Sequence, residues 1–146
     1  MEIERKFTIK ELPDLSQYSY HLMEQGYLNT DPVVRVRKED DKYYLTYKGK
    51  GMLVREEYNL LLNKESYEHL IKKADGIVIS KKRYLIPYEK YTIELDVFEK
   101  PYENLRIAEV EFSSEEEAKE FQPPLWLGED VTFDGRYHNS NLSKGL

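Results

Sequence analysis

Within segments of this chain that alternate like β-strands, charged residues of one sign recur two positions apart at five places. The repeats are Glu2-x-Glu4, Arg35-x-Arg37, Lys81-x-Arg83, Glu94-x-Asp96 and Glu109-x-Glu111. In a β-strand, residues two apart lie on the same face at a spacing of roughly 6.5 Å. Like charges on one face repel each other, so such repeats cost stability and are typical of sites that bind the opposite charge. The acidic repeats could therefore hold a metal cation, and the basic repeats could hold an anion.

The residue types that the chain lacks narrow this chemistry further. There is no Cys and there are only three His, which excludes disulfides, a thiolate zinc site and a Cys nucleophile. A metal site must then rely on carboxylate oxygens, which suit Mg²⁺, Mn²⁺ or Ca²⁺. Arg binds phosphoryl oxygens through two parallel donors, and Lys binds them as a point charge. If the basic repeats and the acidic repeats face each other, they predict a site for a polyanion carrying a divalent metal ion.

The elements that position these residues are mostly strands, because apolar residues recur with a period of two. We predict eight strands, over residues 2–10, 20–28, 33–38, 42–49, 54–62, 77–87, 90–98 and 106–112. A helix over residues 64–74 follows the capping residue Asn63, and a shorter helix begins at Ser113-Ser114 and ends near Phe121. The polar tail can close with a last helical turn. The chain is therefore predicted to be mainly antiparallel β with a few flanking helices, an α+β fold.

The faces of these strands predict a closed barrel. Each long strand has one charged face and one apolar face, and two short helices cannot cover eight apolar faces. Closing the sheet removes its edges and places the charged columns inside. The basic residues predicted to line this interior are Lys6, Arg35, Arg37, Lys48, Lys81, Arg83 and Arg136, and the acidic ones are Glu2, Glu4, Glu94, Asp96, Glu109 and Glu111. An open sheet with one solvated face is the simpler alternative, but such a face should mix the signs of its charges.

Length and charge exclude several other classes of protein. The 146 residues suit one domain spanning residues 1–146. The net charge of −6 argues against binding of a nucleic acid duplex. No apolar run approaches the roughly 18 residues needed to cross a bilayer, and the start lacks a signal peptide, so we expect a soluble cytoplasmic protein without a membrane partner. The outward apolar residues Val34 and Val36 leave room for a homodimer.

Seven short charged motifs follow one another along the chain. They are Glu2-Ile-Glu4-Arg-Lys6, Arg35-Val-Arg37, Tyr44-Leu-Thr-Tyr-Lys48, Arg55-Glu-Glu57-Tyr, Lys81-Lys-Arg83-Tyr, Glu94-Leu-Asp96-Val-Phe and Ala108-Glu109-Val-Glu111-Phe. In this order they resemble the CYTH superfamily, the triphosphate tunnel metalloenzymes. The resemblance covers nearly the whole chain and is greatest to the compact bacterial tripolyphosphatases, which also have counterparts of Gln25-Gly-Tyr-Leu28 and of residues 134–139. It implies a closed eight-stranded tunnel.

The resemblance also implies roles for individual residues. Phosphate contacts are implied for Lys6, Arg35, Arg37, Lys48, Lys81 and Arg83. Binding of Mg²⁺ or Mn²⁺ is implied for Glu2, Glu4 and Glu111, with Asp96 and Glu109 nearby. Small relatives often carry Lys where this chain has Gly135 and His138. Arg136 is therefore the one base that the tail is expected to contribute to substrate binding.

The function expected from this resemblance is metal-dependent hydrolysis of a terminal phosphoanhydride bond in a triphosphate, with inorganic tripolyphosphate as the expected substrate. Water would attack in line while the basic wall holds the triphosphate. A second metal ion, or a carboxylate among Glu94, Asp96 and Glu109, would orient and deprotonate that water. Hydrolysis of thiamine or nucleoside triphosphates is the alternative within the same chemistry. A non-catalytic protein that binds polyphosphate or triphosphonucleotides is the alternative from a different class.

Overall fold

Ten strands form one antiparallel sheet in the computed structural model, which describes residues 1–145. The strands are β1 Glu2–Ile9, β2 Tyr20–Thr30, β3 Val33–Glu39, β4 Lys42–Lys48, β5 Val54–Arg55, β6 Glu57–Leu62, β7 Asp75–Tyr88, β8 Tyr91–Phe98, β9 Arg106–Glu111 and β10 Leu127–Asp130. The helices are α1 Lys64–Ile71, α2 Glu115–Glu120 and α3 Asn139–Leu142, and 3₁₀ turns span Leu15–Gln17 and Gly135–Tyr137. In residues 1–145, no helix is both long and apolar enough to cross a membrane.

The two ends of the sheet meet at β1. Neighbouring strands follow the order β10-β1-β9-β8-β7-β2-β3-β4-β6, and β5 pairs with β1. Only Glu56 separates β5 from β6, so the strand that runs along β4 continues directly to β1. The predicted antiparallel barrel is confirmed, and its count of eight holds when β5 and β6 are taken as the one strand predicted over residues 54–62. The extra strand β10 has only four residues, too few to show an alternating pattern.

An apolar layer covers the outside of β1, β7, β8 and β9. It contains alternate strand residues that point away from the charged columns, among them Phe7, Ile93, Leu95 and Val110, together with Phe121 from the segment after α2. Helix α2 begins where it was predicted, because the Ser114 hydroxyl accepts a hydrogen bond from the Glu117 amide (3.1 Å). This side of the barrel therefore buries its apolar columns under one short helix and its flanking chain.

Helix α1 packs against β2, β3 and β4 on the opposite side of the barrel. The Asn63 side chain caps α1 by accepting a hydrogen bond from the Ser66 amide (2.7 Å). Gly26 on β2 allows the close approach, since a Cβ there would lie 2.7 Å from both the Ala74 Cβ and the Ile71 Cδ1. Any side chain at position 26 would push the helical segment away from the sheet.

The C-terminal segment packs into one end of the barrel. Leu142 is buried in a cluster whose other members belong to the inner faces of the strands or to their ends: Tyr27, Val33, Ile79, Phe98 and Ile107. The Ile77 amide donates a hydrogen bond to the Ser143 carbonyl (2.6 Å), which ties this segment to β7. The charged part of the interior therefore has a floor made of apolar side chains and the C-terminal helix α3.

Candidate active site

The charged columns converge on one cavity inside the barrel. Its acidic lining residues are Glu2, Glu4, Glu57, Glu94, Glu109 and Glu111, and its basic ones are Lys6, Arg35, Arg37, Lys48, Arg55 and Arg83. Tyr27, Asn59, His138, Asn139 and Ser140 complete the lining. The cavity is thus almost wholly polar and carries opposite charges in equal number.

Strand register determines which of these charges face each other. Glu4 on β1 lies directly opposite Glu111 on β9, and Lys6 lies opposite Glu109. Glu109 in turn lies opposite Glu94 on β8. Carboxylates placed directly opposite each other repel and destabilise a sheet unless a cation lies between them. The Glu4–Glu111 pair is therefore a place where bound positive charge would lower the free energy.

Lys6 supplies positive charge to one part of this acidic surface. Its Nζ donates to the Glu109 Oε1 (2.9 Å) and lies 3.3 Å from the Glu4 Oε1. Burial alone would raise the pKa of Glu109, but Lys6 and Arg83 outweigh burial and hold that pKa well below its usual value. Glu109 is consequently a charged and fully engaged carboxylate.

A second ion-pair network lies deeper, and we call Lys81, Arg83 and Asp96 the Asp96 cluster. Arg83 donates to Asp96 through two parallel bonds, Nε to Oδ1 (2.8 Å) and Nη2 to Oδ2 (2.9 Å). The Lys81 Nζ lies 2.7 Å from the Asp96 Oδ2. Burial would raise the pKa of Asp96, but Arg83 and Lys81 outweigh it and lower the pKa below its usual value. Both oxygens of Asp96 are therefore occupied by bases of the protein itself.

Two arginines on β3, which we call the arginine pair, have no such acidic partner. Within residues 1–145, neither Arg35 nor Arg37 lies within 4.0 Å of a carboxylate. Arg37 donates from Nε (2.9 Å) and Nη2 (2.7 Å) to the Gln25 Oε1, which is neutral. Arg35 makes one long hydrogen bond, from Nη2 to the Thr46 Oγ1 (3.4 Å), and its buried Nε has no partner among the described residues. The arginine pair thus presents uncompensated positive charge to the cavity.

Burial and the neighbouring guanidiniums act together on Arg37. Burial, followed by repulsion from Arg35 and Arg83, lowers the pKa of Arg37 to about 9. The side chain still carries its charge near neutral pH, but at a cost in free energy that a bound anion would remove. The arginine pair therefore has the charge and the donors to bind a phosphate group.

The acidic side has the donor atoms for a hard divalent cation. Burial raises the pKa of Glu4, Glu94 and Glu111, and repulsion among the neighbouring carboxylates adds to the effect. Carboxylate oxygens are the ligands that Mg²⁺ and Mn²⁺ prefer, so the chemistry of these residues fits such an ion. In residues 1–145, no three Asp, Glu or His side chains are already gathered into a ligand cluster. Binding would therefore require Glu side chains to change rotamer.

Three predicted lining residues do not reach the cavity, which corrects the sequence expectation. Lys81 and Asp96 lie beneath its surface, with side chains that are 0% exposed, because each lies one step deeper along its strand than Arg83 and Glu94. Arg136 lies outside, with a side chain that is 76% exposed. Asp134 caps the 3₁₀ turn at Gly135–Tyr137 and accepts three hydrogen bonds from the Arg136 guanidinium, which hold Arg136 at the surface.

The other predicted residues all line the cavity. They are Lys6, Arg35, Arg37, Lys48 and Arg83 on the basic side, and Glu2, Glu4, Glu94, Glu109 and Glu111 on the acidic side. Lys48 pairs with Glu2 (Nζ to Oε2, 3.0 Å), and Arg83 lies 3.5 Å from the Glu94 Oε2.

The sequence prediction missed lining residues from three regions, of which the first is β2, where Tyr27 faces the cavity. Arg55, Glu57 and Asn59 alternate along β5 and β6 and enter the cavity, where the Glu57 Oε2 lies 3.3 Å from the Lys48 Nζ. Their alternation was visible in the sequence and could have found them. Residues 138–140 enter the cavity from the C-terminal segment. They belong to no strand, so no alternating pattern in the sequence predicts them. Among these, His138 donates from Nε2 to the Thr132 carbonyl (3.1 Å), and burial lowers its pKa, which favours the neutral ring.

Comparison with known proteins places the barrel and its cavity in a family. The chain is 40% identical over 150 residues to an inorganic triphosphatase of Nitrosomonas europaea, covering 99% of this chain and 98% of that one. It is 39% identical over 150 residues to an inorganic triphosphatase of Acetivibrio thermocellus, covering 98% and 93%. A crystal structure of an inorganic triphosphatase matches the fold with a TM-score of 0.74 at 35% identity, covering 100% of this chain and 96% of that one. Residues 1–144 match the CYTH domain model, and the chain belongs to the CYTH domain family.

Proposed function

We propose that this protein hydrolyses the terminal phosphoanhydride bond of inorganic triphosphate inside the barrel. One observation carries the proposal: a single cavity contains two arginines, Arg35 and Arg37, that have no carboxylate within 4.0 Å among residues 1–145. The same cavity contains two carboxylates, Glu4 and Glu111, that lie opposite each other on neighbouring strands. The similarity to two inorganic triphosphatases over nearly the full chain supports it.

The arginine pair is the proposed anchor for the phosphate chain. Neighbouring inward residues on one strand lie roughly 6.5 Å apart, so Arg35 and Arg37 can contact different phosphoryl groups of one triphosphate. Lys6, Lys48 and Arg83 each pair with a carboxylate and would add weaker attraction, since part of their charge is already compensated. The basic side would hold the substrate in one orientation, which lowers the entropic part of the barrier.

The proposed metal ligands are Glu2, Glu4 and Glu111. A divalent ion bound there would supply positive charge that offsets the negative charge of the phosphates. The protein itself contributes the position of these carboxylates: β-sheet register holds Glu4 against Glu111, and the pairing of Glu2 with Arg55 places Glu2 beside them.

Glu94 is the proposed group that orients the attacking water and accepts its proton. Asp96 has both oxygens engaged by Arg83 and Lys81, and Glu109 accepts a hydrogen bond from Lys6. Glu94 lines the cavity with a side chain that is 30% exposed, and its ion pair with Arg83 is long, 3.5 Å. Of the three carboxylates predicted for this role, Glu94 is the one with an oxygen that no basic group of residues 1–145 contacts, which leaves that oxygen for water.

Phosphate release under turnover conditions tests the proposal. Tripolyphosphate, ATP, GTP and thiamine triphosphate are each incubated with Mg²⁺ or Mn²⁺, and we expect the fastest release from tripolyphosphate. Arg136→Ala serves as the control variant. Because Arg136 lies outside the cavity, this substitution should leave the rate of phosphate release unchanged. Binding of tripolyphosphate without any phosphate release would overturn hydrolysis and favour a polyphosphate-binding protein. Faster release from a nucleotide or thiamine ester would overturn the substrate.

A further inference from the structure

A chain of hydrogen bonds connects the C-terminal helix to the arginine pair. The Asn139 Oδ1 accepts from the Lys81 Nζ (3.1 Å) and from the Gln25 Nε2 (3.2 Å). The Gln25 Oε1 in turn accepts both hydrogen bonds from Arg37. Gln25 is fully buried, so no bulk water competes for its amide. The orientation of Arg37 is thus joined to a residue more than a hundred positions away.

The direction of each bond in this chain is determined at its two ends. The Lys81 Nζ donates to the Asn139 Oδ1, so Asn139 turns its amide oxygen toward Lys81. Gln25 must then offer its NH₂ group to that oxygen, which leaves the Gln25 oxygen facing Arg37. The guanidinium of Arg37 also has only donors, so a flipped Gln25 amide would set donor against donor. The Gln25 NH₂ group donates to the Asn139 Oδ1 (3.2 Å) and to the Tyr27 hydroxyl (3.2 Å), and these two acceptors together stabilise the Gln25 orientation that holds Arg37.

An amide has a consequence here that a carboxylate would not have. Glu at position 25 could accept the same two hydrogen bonds, but it would also neutralise the charge of Arg37. Gln25 directs the guanidinium while leaving that charge for a ligand, and Nη1 of Arg37 has no hydrogen-bond partner among the described residues. The contrast with Arg83, which is held by the charged Asp96, shows both solutions in one cavity.

We propose that Asn139 is a positioning residue for substrate binding, acting through the Gln25 amide to hold Arg37 in its phosphate-binding orientation. This inference rests on the proposed function, since it assigns the phosphate contact to Arg37. It gives the C-terminal helix α3 a role in affinity for the triphosphate as well as in packing, because Leu142 anchors in the core the same helix that carries Asn139.

Steady-state kinetics and stability measurements on Asn139→Ala test the inference. We expect KM for tripolyphosphate to rise roughly five- to tenfold, the effect of losing one buried hydrogen bond, with a smaller change in kcat. Asn141→Ala is the matched control, because Asn141 lies on the same helix and donates only to the Gly135 carbonyl (2.8 Å). The control removes one side-chain hydrogen bond where Asn139→Ala removes two, so it should lower the melting temperature by less and leave KM unchanged. Equal KM values for the two variants would overturn the inference.

A double-mutant cycle with Arg37→Ala separates positioning from general damage. If Asn139 acts through Arg37, then Asn139→Ala should raise KM no further in the Arg37→Ala background. A merely structural role would give the same fold-increase in both backgrounds, which would contradict the proposal. Should Asn139→Ala fail to fold, Gln25→Glu gives an independent answer: it should retain the fold and weaken tripolyphosphate binding at least tenfold. Unchanged binding by Gln25→Glu would overturn the role of an uncompensated Arg37.

Direct binding of tripolyphosphate, followed by calorimetry, distinguishes failure of this inference from failure of the proposed function. Wild-type protein that binds tripolyphosphate without releasing phosphate would refute hydrolysis, while the same variants would still report on Arg37 through Kd. Wild-type hydrolysis with an unaltered Asn139→Ala variant would refute the positioning role alone.

Discussion

The arginine pair and the Asp96 cluster both contain buried arginine inside one barrel but hold it with different partners. Arg37 is held by the neutral amide of Gln25, and Arg35 by the hydroxyl of Thr46. Arg83 is held by both oxygens of Asp96 at 2.8 and 2.9 Å. A neutral partner fixes the direction of a guanidinium and leaves its charge uncompensated. A carboxylate fixes the direction and also compensates the charge.

The difference teaches which charges serve structure and which serve a ligand. A buried ion pair such as Arg83–Asp96 offsets its own desolvation cost, and its members become interdependent. A buried charge without a counterion remains costly until a ligand arrives. The Glu4–Glu111 pair is a partial acidic counterpart of the arginine pair: register places two carboxylates opposite each other, and within residues 1–145 only Glu4 has a basic partner, Lys6 at 3.3 Å. Four predictions follow this division, in order of expected effect.

Removal of a carboxylate charge from the opposed pair should have the largest effect. We expect Glu4→Gln and Glu111→Gln each to abolish metal-dependent hydrolysis while the protein stays folded, because each removes a proposed metal ligand and also relieves repulsion in the metal-free state. Phosphate release over a Mg²⁺ titration and thermal unfolding without metal are the measurements. Near wild-type turnover by either variant at limiting Mg²⁺ would show that these carboxylates are not ligands.

Disruption of the Asp96 cluster should appear mainly as lost stability. Asp96→Ala removes the carboxylate nearest to Lys81 and leaves Arg83 with only its long contacts to Glu94 and Glu109 (3.5 Å each), and we expect the free energy of unfolding to fall by about 3–5 kcal/mol. Urea denaturation measures the change, and Asp130→Ala, which breaks the half-exposed ion pair with Arg5 (2.9 Å), is the control with a smaller expected loss. A stability equal to that of the wild type would remove the distinction between the two regions.

Truncation of the arginine pair should appear mainly as lost activity and much less as lost stability. Arg37→Ala is expected to lower kcat/KM for tripolyphosphate by roughly one to three orders of magnitude, since a charged contact in a site shielded from water is worth about 1.5–3 kcal/mol or more. The free energy of unfolding should fall less than in Asp96→Ala, because among residues 1–145 Arg37 has no carboxylate partner and its loss deprives only the neutral Gln25 oxygen of donors. Lys82→Ala is the control: Lys82 points outward over the Tyr20 ring. A comparable loss of kcat/KM in Lys82→Ala would show that the substrate binds on the face of β7 that carries Lys82, outside the barrel.

Ligand-induced stabilisation should give the smallest effect. Tripolyphosphate with Mg²⁺ should raise the melting temperature more than tripolyphosphate alone, with a stabilisation of about 2.7 kcal/mol at a hundredfold excess over Kd. Pyrophosphate and citrate should stabilise less, because they span fewer of the uncompensated charges. Duplex DNA at equal phosphate concentration and ionic strength should give no shift, because it is too wide for a barrel of this size. A DNA-induced rise equal to that from tripolyphosphate would refute binding inside the barrel.

The face on which each strand residue lies was predictable because it is a local property. Alternation along a strand is set by the backbone, so Glu2, Glu4 and Lys6 had to share one face whatever their neighbours. Like-charge repeats then indicated that these faces meet in a site, and the order of the motifs indicated the family, which is confirmed. Arg136 lies in no strand, so the alternation that placed the other bases could not place it.

Depth in the cavity and the choice of ionic partner were decided by tertiary structure alone. Lys81 and Arg83 share one column, yet only Arg83 reaches the cavity, because the apolar floor and the C-terminal segment cover the position below it. Arg37 and Arg83 occur in similar charge repeats in the sequence. In the fold, however, Arg37 donates to Gln25 from β2, whereas Arg83 donates to Asp96 from β8. Register between strands distant in the chain determines such meetings. The sequence by itself therefore determined which side chains point inward, whereas folding decided which of their charges cancel and which remain for a ligand.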